Sequence, residues 1–576
     1  MGLGYLILAT KSEQDKYLTG NPQFTFFKGV YKKHTNFATD YQYVNLIGDT
    51  NNSLGKKLYL ELPKNGDLLH RAYLAVNVTG ANLTNVVPMA YSLIEYIDLF
   101  IGGQRVDRHY GSWLRVWHEL HSSSEKQLAL SEMISIHNTT SGSNLLHIPL
   151  RFWFNNHIGS ALPLLALQYN DVKLDIKFNN KSDVTTYSEY KDGGAIIKVN
   201  DDTFNISNVQ VLCEYIHLDT EERRLFMSNS HEYLITQVQT SLNNPVNLFH
   251  NTTTDNFEKM VHKTDLRFNH PVKELIWSFQ DSNSIISKEA DFVKDYQSKG
   301  VLEYNYWNGF NVGKDQLIGA NLVLNGKDMS EELPGSFFRN VQHYQYHSGV
   351  RLKSIFNKNS SIERPTDKFT KYDKGSGIYS YSFALTPEEY QPSGSLNFSN
   401  LESAQLKYKL HRESYPTIDV DYATGGLNST FPTYDSTTKE LTGVDTIDNV
   451  QLVDIRLGDV ILVKNQTSTG KEYQNGIYTV VDTTPLKLKR HQYYSTREHY
   501  LRHNPFGVNV KSGTSNSGKK FIVNIKEIGD LDTANIKVNE LNDSFFRLNS
   551  KKLTVYAVNY NVFRIMSGMG SLLFSS

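Results

Sequence analysis

The sequence predicts an all-β protein built from two tandem β-domains. Three observations carry that prediction: apolar residues alternate with period 2 along much of the chain, aromatic residues are abundant while helix signals are few, and one stretch recurs more than 200 residues later. At about 100–200 residues per domain, 576 residues make several folded units. A hydrophobic fraction of 39% against 21% charged residues is enough to build a sizeable core. Lys plus Arg number 59 and Asp plus Glu 60, so the net charge of -1 gives no overall pull toward nucleic acid or an anionic membrane. The single cysteine, Cys213, excludes an intrachain disulfide framework and a Cys-built metal cluster. The 35 Tyr and 29 Phe favour strands and large aromatic contact surfaces.

Taken in order, the opening MGLGYLILAT is too short to span a bilayer and has no basic flank, and Leu6 stands where a myristoylation signal needs Ser or Thr. No signal peptide or transmembrane segment is expected, and the chain reads as a soluble protein of a reducing compartment. Leu58, Leu60 and Leu62 form a one-faced strand, and Asn65-Gly66 then predicts a hairpin turn into Leu74, Val76 and Val78. Val209, Val211, Cys213 and Tyr215 form a further row, which makes Cys213 a core residue rather than a nucleophile. Ser122 with Glu125 and Asp219 with Glu222 have capping-box spacing, predicting helices from Ser122 to Ile136 and from Asp219 onward. Thr554 to Ile565 reads as a long β-branched and aromatic strand. The sequons Asn77-Val78-Thr79 and Asn138-Thr139-Thr140 are expected by chance in so Asn-rich a chain.

The duplication is explicit. IDLFIGGQRVDR precedes Gly111-Ser112-Trp113-Leu114-Arg115, and ANLVLNGKDM precedes Gly335-Ser336-Phe337-Phe338-Arg339. Each copy follows a long apolar strand (Leu69 to Val78; Val272 to Phe279) and leads to an aromatic strand, a proline (Pro163; Pro392) and a second alternating strand. Trp113 is expected to superpose on Phe337 and Arg115 on Arg339. Between Leu410 and Leu553 the second copy carries a Thr- and Asp-rich excess. It contains LGDVILVKNQTSTGKEYQNGIYTVV, two apolar strands that predict a small β-insertion emerging from a loop between neighbouring strands. About eight strand candidates per copy is the strand count of a jelly roll.

Site-like motifs resolve mostly to structure. His118-Glu119-Leu120-His121 spaces its histidines i,i+3 rather than the i,i+4 of a zincin helix, and no third ligand is evident. Asp419 and Asp421 ahead of Gly425-Gly426 hint at a calcium loop, but position 12 is Thr430 where an EF-hand needs Glu. Gly313-Lys314 lacks the rest of a P-loop, and Gly568-Met569-Gly570 predicts a turn. The basic runs Tyr31 to His34 and Lys487 to His491 are short, as solvated faces or subunit contacts are. No catalytic, cofactor or metal residue is expected, and no direct nucleic-acid binding.

The run from Leu18 through Asn21, Pro22, Phe24, Thr25, Phe26, Phe27 and Lys28, continuing to Thr35, Asn36 and Phe37, closely resembles the opening of the major capsid proteins of large eukaryotic DNA viruses. LDTEERRLFMSNSHEYLI, FALTPEEYQPSGSLNFS and SGMGSLLF resemble the same family, in family order over nearly the whole chain. The sequence departs from the family in the tail before Asn21 and in the insertion after Leu410. The resemblance implies a double jelly roll: an arm over 1–37, a first jelly roll over 38–217 and a second over 218–576. The insertion over 413–549 would lie on the outer surface. It implies a non-enzymatic subunit of an icosahedral virion shell, assembled in the host cytoplasm as pseudo-hexagonal homotrimers. Its partners would be neighbouring capsomers, minor capsid proteins, an internal membrane on the inner face and the host surface on the outer. A glycan-binding attachment protein is the alternative, and a cupin-like metal oxygenase would need inward His/Glu ligands that do not stand out. Within the insertion, Gly458 to Gln466 and Asn475 to Tyr478 are similar to a short β-module of bacteriophage tail fibres.

Overall fold

The computed structural model describes residues 3–10, 12–79, 89–134, 144–180, 188–190, 196–198, 205–246, 261–281, 316–349, 377–410, 417–424, 433–435, 438, 440–442, 455–464, 475–483, 486–491, 506–512, 516–525, 536–541 and 551–574. The sequon at 138–140, Gly313-Lys314, Gly425-Gly426 and Thr430 lie outside them.

The first domain has eight principal strands: β1 (Phe37–Asn45), β2 (Lys57–Glu61), β3 (Leu68–Thr79), β4 (Ile94–Ile101), β5 (Gln104–Tyr110), β6 (Asn144–Pro149), β7 (Val172–Phe178) and β8 (Asn205–Leu218). They form two antiparallel sheets, ordered β1-β8-β3-β6 and β2-β7-β4-β5. The predicted rows Leu58/Leu60/Leu62, Leu74/Val76/Val78 and Val209/Val211/Cys213/Tyr215 all enter one core between them. The predicted Asn65-Gly66 hairpin is corrected, because β2 and β3 lie in opposite sheets. Period-2 alternation identifies a buried face but not the strand that shares its hydrogen bonds.

The second domain repeats the pattern with β9 (His231–Val246), β10 (His262–Asp265), β11 (Pro271–Asp281), β12 (Leu317–Leu324), β13 (Lys327–Asp328), β14 (Ile378–Ser382), β15 (Ala404–Leu410) and β16 (Lys551–Met566). Its sheets run β9-β16-β11-β14 and β10-β15-β12-β13, the same order with every strand advanced by eight. The tight turns agree too. Gly102 and Gly103 join β4 to β5, and Asn325 and Gly326 join β12 to β13, all four at positive φ. Two consecutive positive-φ residues make the hairpin turn whose twist matches that of paired strands. Each domain thus winds as a jelly roll.

Helices occupy the connections. Trp113, Leu114, Val116 and Leu120 give α1 (Gly111–His121) an apolar stripe that packs into the first core. The predicted helix over 122–136 begins instead at Ser124, as α2 (Ser124–Ile134), because Ser122 terminates α1 by bonding its N–H to the His118 carbonyl. Asp219 caps α3 (Thr220–Ser228), which links the two domains, by accepting the Thr220 N–H at 2.7 Å.

The insertion leaves between β15 and β16. These strands lie in opposite sheets, which corrects the expectation that they are neighbours; the connection from the seventh to the eighth strand of a jelly roll crosses between its sheets. The equivalent connection of the first domain carries a short hairpin, Ser188–Tyr190 with Ile196–Lys198. The insertion is larger than two strands. Its described strands form a four-stranded and a six-stranded sheet, with two apolar clusters centred on Val508 and Val523 and on Tyr478 and Leu488. The predicted strand pair is present as Val460–Val463 against Gly476–Thr483.

Candidate functional site

Three surfaces combine unusual chemistry with exposure or burial: the N-terminal arm, the outer faces of two equivalent sheets, and a titratable cluster where the domains meet. In the arm, Asn21, Pro22, Phe24, Thr25, Phe26, Phe27, Lys28, Thr35, Asn36 and Phe37 are all exposed, Phe27 by 98%. The Phe24 and Phe26 rings meet edge-on at 5.0 Å, and Phe37 already belongs to β1, opposite Leu218. Leu3, Leu6, Ile7 and Leu8 on the short helix Leu3–Ala9 are exposed as well. Exposed apolar surface gathered on one segment is a general feature of interaction surfaces.

The duplicated motif occupies the same connection in both domains, after β5 and after β13. Gly111, Trp113 and Arg115 lie on α1. Trp113 is buried 5.3 Å from the Tyr556 ring of β16, and Tyr556 donates to the Ser112 hydroxyl at 2.7 Å. Gly335 leads into a wider helical turn over Phe337–Val341, which holds Phe337 and Arg339 and is followed by α4 (Gln342–Tyr346). There the fully buried ring is Phe338, edge-on to Trp277, while Phe337 is half-buried. Gly335 allows its turn to press on β12, since a Cβ would fall 2.1 Å from the Leu317 carbonyl oxygen.

Through α1, the first domain covers the outer face of β9-β16-β11-β14. Ile276, Ile378, Tyr556 and Val558 join the first core, whereas Leu275, Trp277, Val555 and Ala557 face the second. The equivalent face of β1-β8-β3-β6 is open, with Tyr41, Tyr43 and Leu145 each about half exposed. Tyr41 donates to Glu214 at 2.8 Å, and the Tyr43 hydroxyl lies 3.4 Å from His147.

The His118 to His121 motif divides at the domain junction. His118 lies inside against the Tyr91 hydroxyl at 3.3 Å, and burial, aided by the Arg115 charge, pushes its pKa down to about 3. Glu119 is held by Arg115 at 2.7 Å. His121 leaves the helix on the side of the second domain, where Glu274 of β11 and His347 lie in reach. Neither partner was visible in the sequence, since both come from more than 150 residues away. Burial also lowers the His121 pKa and raises that of Glu274. A cavity of about 800 Å³ opens beside them, lined by Trp117, His121, Arg151, Lys273, Glu274 and Glu388.

The remaining motifs are structural. Burial pushes the Cys213 thiol up to about 12, which removes the thiolate a nucleophile needs. Ser567 and Gly568 form a positive-φ turn between β16 and Met569–Leu572. In Leu486–Arg490, Leu486, Leu488 and Arg490 are buried and Lys489 lies 4.0 Å from Glu440, so no continuous basic face results. Asp421 accepts the Val460 N–H at 2.9 Å, a bond that joins the two sheets of the insertion. No described helix is long and apolar enough to cross a membrane.

Comparison with known proteins agrees with this architecture. Residues 25–219 match the family described as "Major capsid protein N-terminus", and residues 222–356 and 359–452 match "Large eukaryotic DNA virus major capsid protein". The major capsid protein of Pyramimonas orientalis virus is 34% identical over 448 residues, covering 74% of this chain and 99% of that protein. That of Paramecium bursaria Chlorella virus 1 is 32% identical over 433 residues, covering 73% and 89% respectively. Capsid protein 1 of Acanthamoeba polyphaga mimivirus is 27% identical and aligns over 100% of both chains. Among solved structures, a quasi-atomic PBCV-1 virus capsid covers 96% of this chain at a TM-score of 0.58 and 24% identity, a likeness of fold. An all-β double jelly roll, with matches of this extent across both halves, belongs to the major capsid proteins of large eukaryotic DNA viruses, and its work is to build the virion shell.

Proposed function

We propose that three copies of this chain close into a pseudo-hexagonal capsomer, and that these capsomers tile an icosahedral shell. The observation that carries this reading is the mismatch between two equivalent sheet faces. Within the chain, the connection after β5 covers the outer face of the second domain's β9-β16-β11-β14 sheet. The first domain's equivalent face is open at Tyr41, Tyr43 and Leu145. The second domain's equivalent connection ends in α4, where Tyr344 is 89% exposed beside the exposed Val341. Repeating the internal contact between copies places α4 of one chain on the open sheet of the next. Three repeats make a closed ring of six jelly rolls.

The arm then ties the capsomer to neighbouring capsomers or minor capsid proteins, because its apolar side chains are exposed. The insertion over 413–549 stands outside this ring, on the virion's outer face, where it meets solvent or host. The chain serves as a structural subunit and not as an enzyme, and assembly takes place in the host cytoplasm with an internal membrane beneath the shell.

Light scattering on the purified chain tests the oligomer: three times the chain mass is expected, and a monomer at micromolar concentration overturns the trimer. Deleting residues 1–36 is expected to leave the trimer folded and to abolish assembly into larger particles. Unfolding of the truncated chain would show that the arm belongs to the fold.

A further inference from the structure

The junction of the two domains brings three metal-ligating side chains together from separate elements. His121 ends α1, Glu274 lies on β11, and His347 follows α4. Their approach is built in. The last carbonyls of a helix lack partners within it, and the segment after α4 supplies them. The Gly349 N–H bonds to the Leu120 carbonyl at 2.7 Å, and the Ser348 hydroxyl bonds to that of His121 at 3.4 Å. Only glycine fits at 349, since a Cβ would sit 2.3 Å from the carbonyl oxygens of Glu119 and Leu120. This docking sets His347 beside His121, with ring centres 5.4 Å apart.

We propose that His121, Glu274 and His347 form a binding site for a divalent transition metal of the zinc class, which clamps the two jelly rolls together. His121 Nε2 lies 3.9 Å from one Glu274 oxygen, and His347 Nε2 lies 3.9 Å from the other. All three ligand atoms fall within 4.8 Å of one another. Bonds of about 2.0–2.1 Å in a tetrahedral site put ligands about 3.4 Å apart, so the two 3.9 Å pairs close by roughly half an ångström and the widest separation, within 4.8 Å, by at most about 1.4 Å.

Behind each ring lies an acceptor. His121 Nδ1 faces the Trp117 carbonyl at 3.3 Å, an acceptor only, so Nδ1 carries the proton and Nε2 the free lone pair. His347 Nδ1 faces Glu388 at 3.5 Å, the carboxylate-behind-imidazole arrangement that orients metal-binding histidines. Ser380 Oγ is 3.2 Å from His347 Nε2 and occupies that lone pair until an ion arrives. The Glu274 side chain is 1% exposed, and its Oε2 has no hydrogen-bond partner. A buried carboxylate oxygen without a partner is costly, and a cation supplies the missing interaction. Lys273 makes no hydrogen bond to that oxygen; its ammonium donates to the Pro387 carbonyl at 2.6 Å. The adjoining cavity, which Glu274 and His121 also line, gives an ion its entry path and a water for the open position.

The test uses the full-length chain, stripped with a chelator and titrated with zinc chloride. One zinc per chain and a raised unfolding temperature are expected. His121→Asn and His347→Gln should abolish both, while Glu388→Gln keeps the stoichiometry and weakens affinity by about 10–100-fold. X-ray absorption on the zinc-loaded wild type should count two imidazoles, and it decides the matter even where a variant fails to fold. Absent uptake, uptake unchanged in the His variants, or fewer than two imidazoles overturns the site. In the first case the cluster is an ion-pair network centred on His347.

Discussion

The two β1-type sheets of this chain occupy the same place in the same fold, yet their outer faces are made differently. In the second domain the sheet is buried on both sides: Val555 and Ala557 of β16 face its own core, and Tyr556 and Val558 face the first domain. That double burial is why Val555 to Val558 reads as an unbroken apolar run rather than an alternation. In the first domain the inner face is equally dry, through Leu74, Val76, Val211 and Cys213, but the outer face carries Tyr41, Tyr43 and Leu145 among Arg71, Glu214 and His147. Tyrosines whose hydroxyls already have partners tolerate water while keeping a ring available for a neighbour. A permanent contact within one chain can be apolar throughout, whereas a contact that must wait for a second chain needs this mixed character.

The comparison can be broken hardest at the covered face. Trp113→Ala removes the indole packed on Tyr556 and is expected to cost about 3–5 kcal/mol in denaturant unfolding. A loss below about 1 kcal/mol would mean that the internal contact is not a core. The open face should respond in the opposite sense. Tyr43→Glu with Leu145→Glu is expected to change unfolding free energy by no more than about 0.5 kcal/mol per site, yet to convert the trimer to monomer by light scattering. Retention of the trimer would place the subunit contact elsewhere.

A finer probe is Tyr556→Phe, which deletes only the bond to Ser112 and should cost about 1 kcal/mol, leaving the trimer intact. The smallest effect is expected for replacing 413–549 by a short Gly/Ser linker. The described parts of the insertion have apolar clusters of their own, and closing a shorter loop changes little, so midpoint and trimer should both persist. Loss of the trimer on that replacement would make the insertion an assembly element. Persistence of particles with weaker attachment to cells would make it the host-facing part.

By itself, the sequence determined the class of fold, its duplication and the inner face of each strand. Alternation with period 2 is written by burial on one side of a strand, and Leu58, Leu60 and Leu62 or Val209, Val211 and Cys213 needed nothing distant to be recognised. The arm was legible as a family segment, and the Gly-Ser-aromatic motif as a repeat, because both are local strings. Pairing was not legible. Asn65-Gly66 looked like a hairpin turn, and β15 and β16 looked like neighbours, because alternation is silent about which sheet a strand joins. The helix Gly111–His121 went unrecognised because Tyr110 stands at its N-cap and offers no capping side chain to mark the start. Only the tertiary structure could place His121 beside Glu274 and His347, or show one sheet face covered and its twin open. Those facts depend on residues far apart in sequence meeting across a domain junction, and local pattern holds no record of such distances.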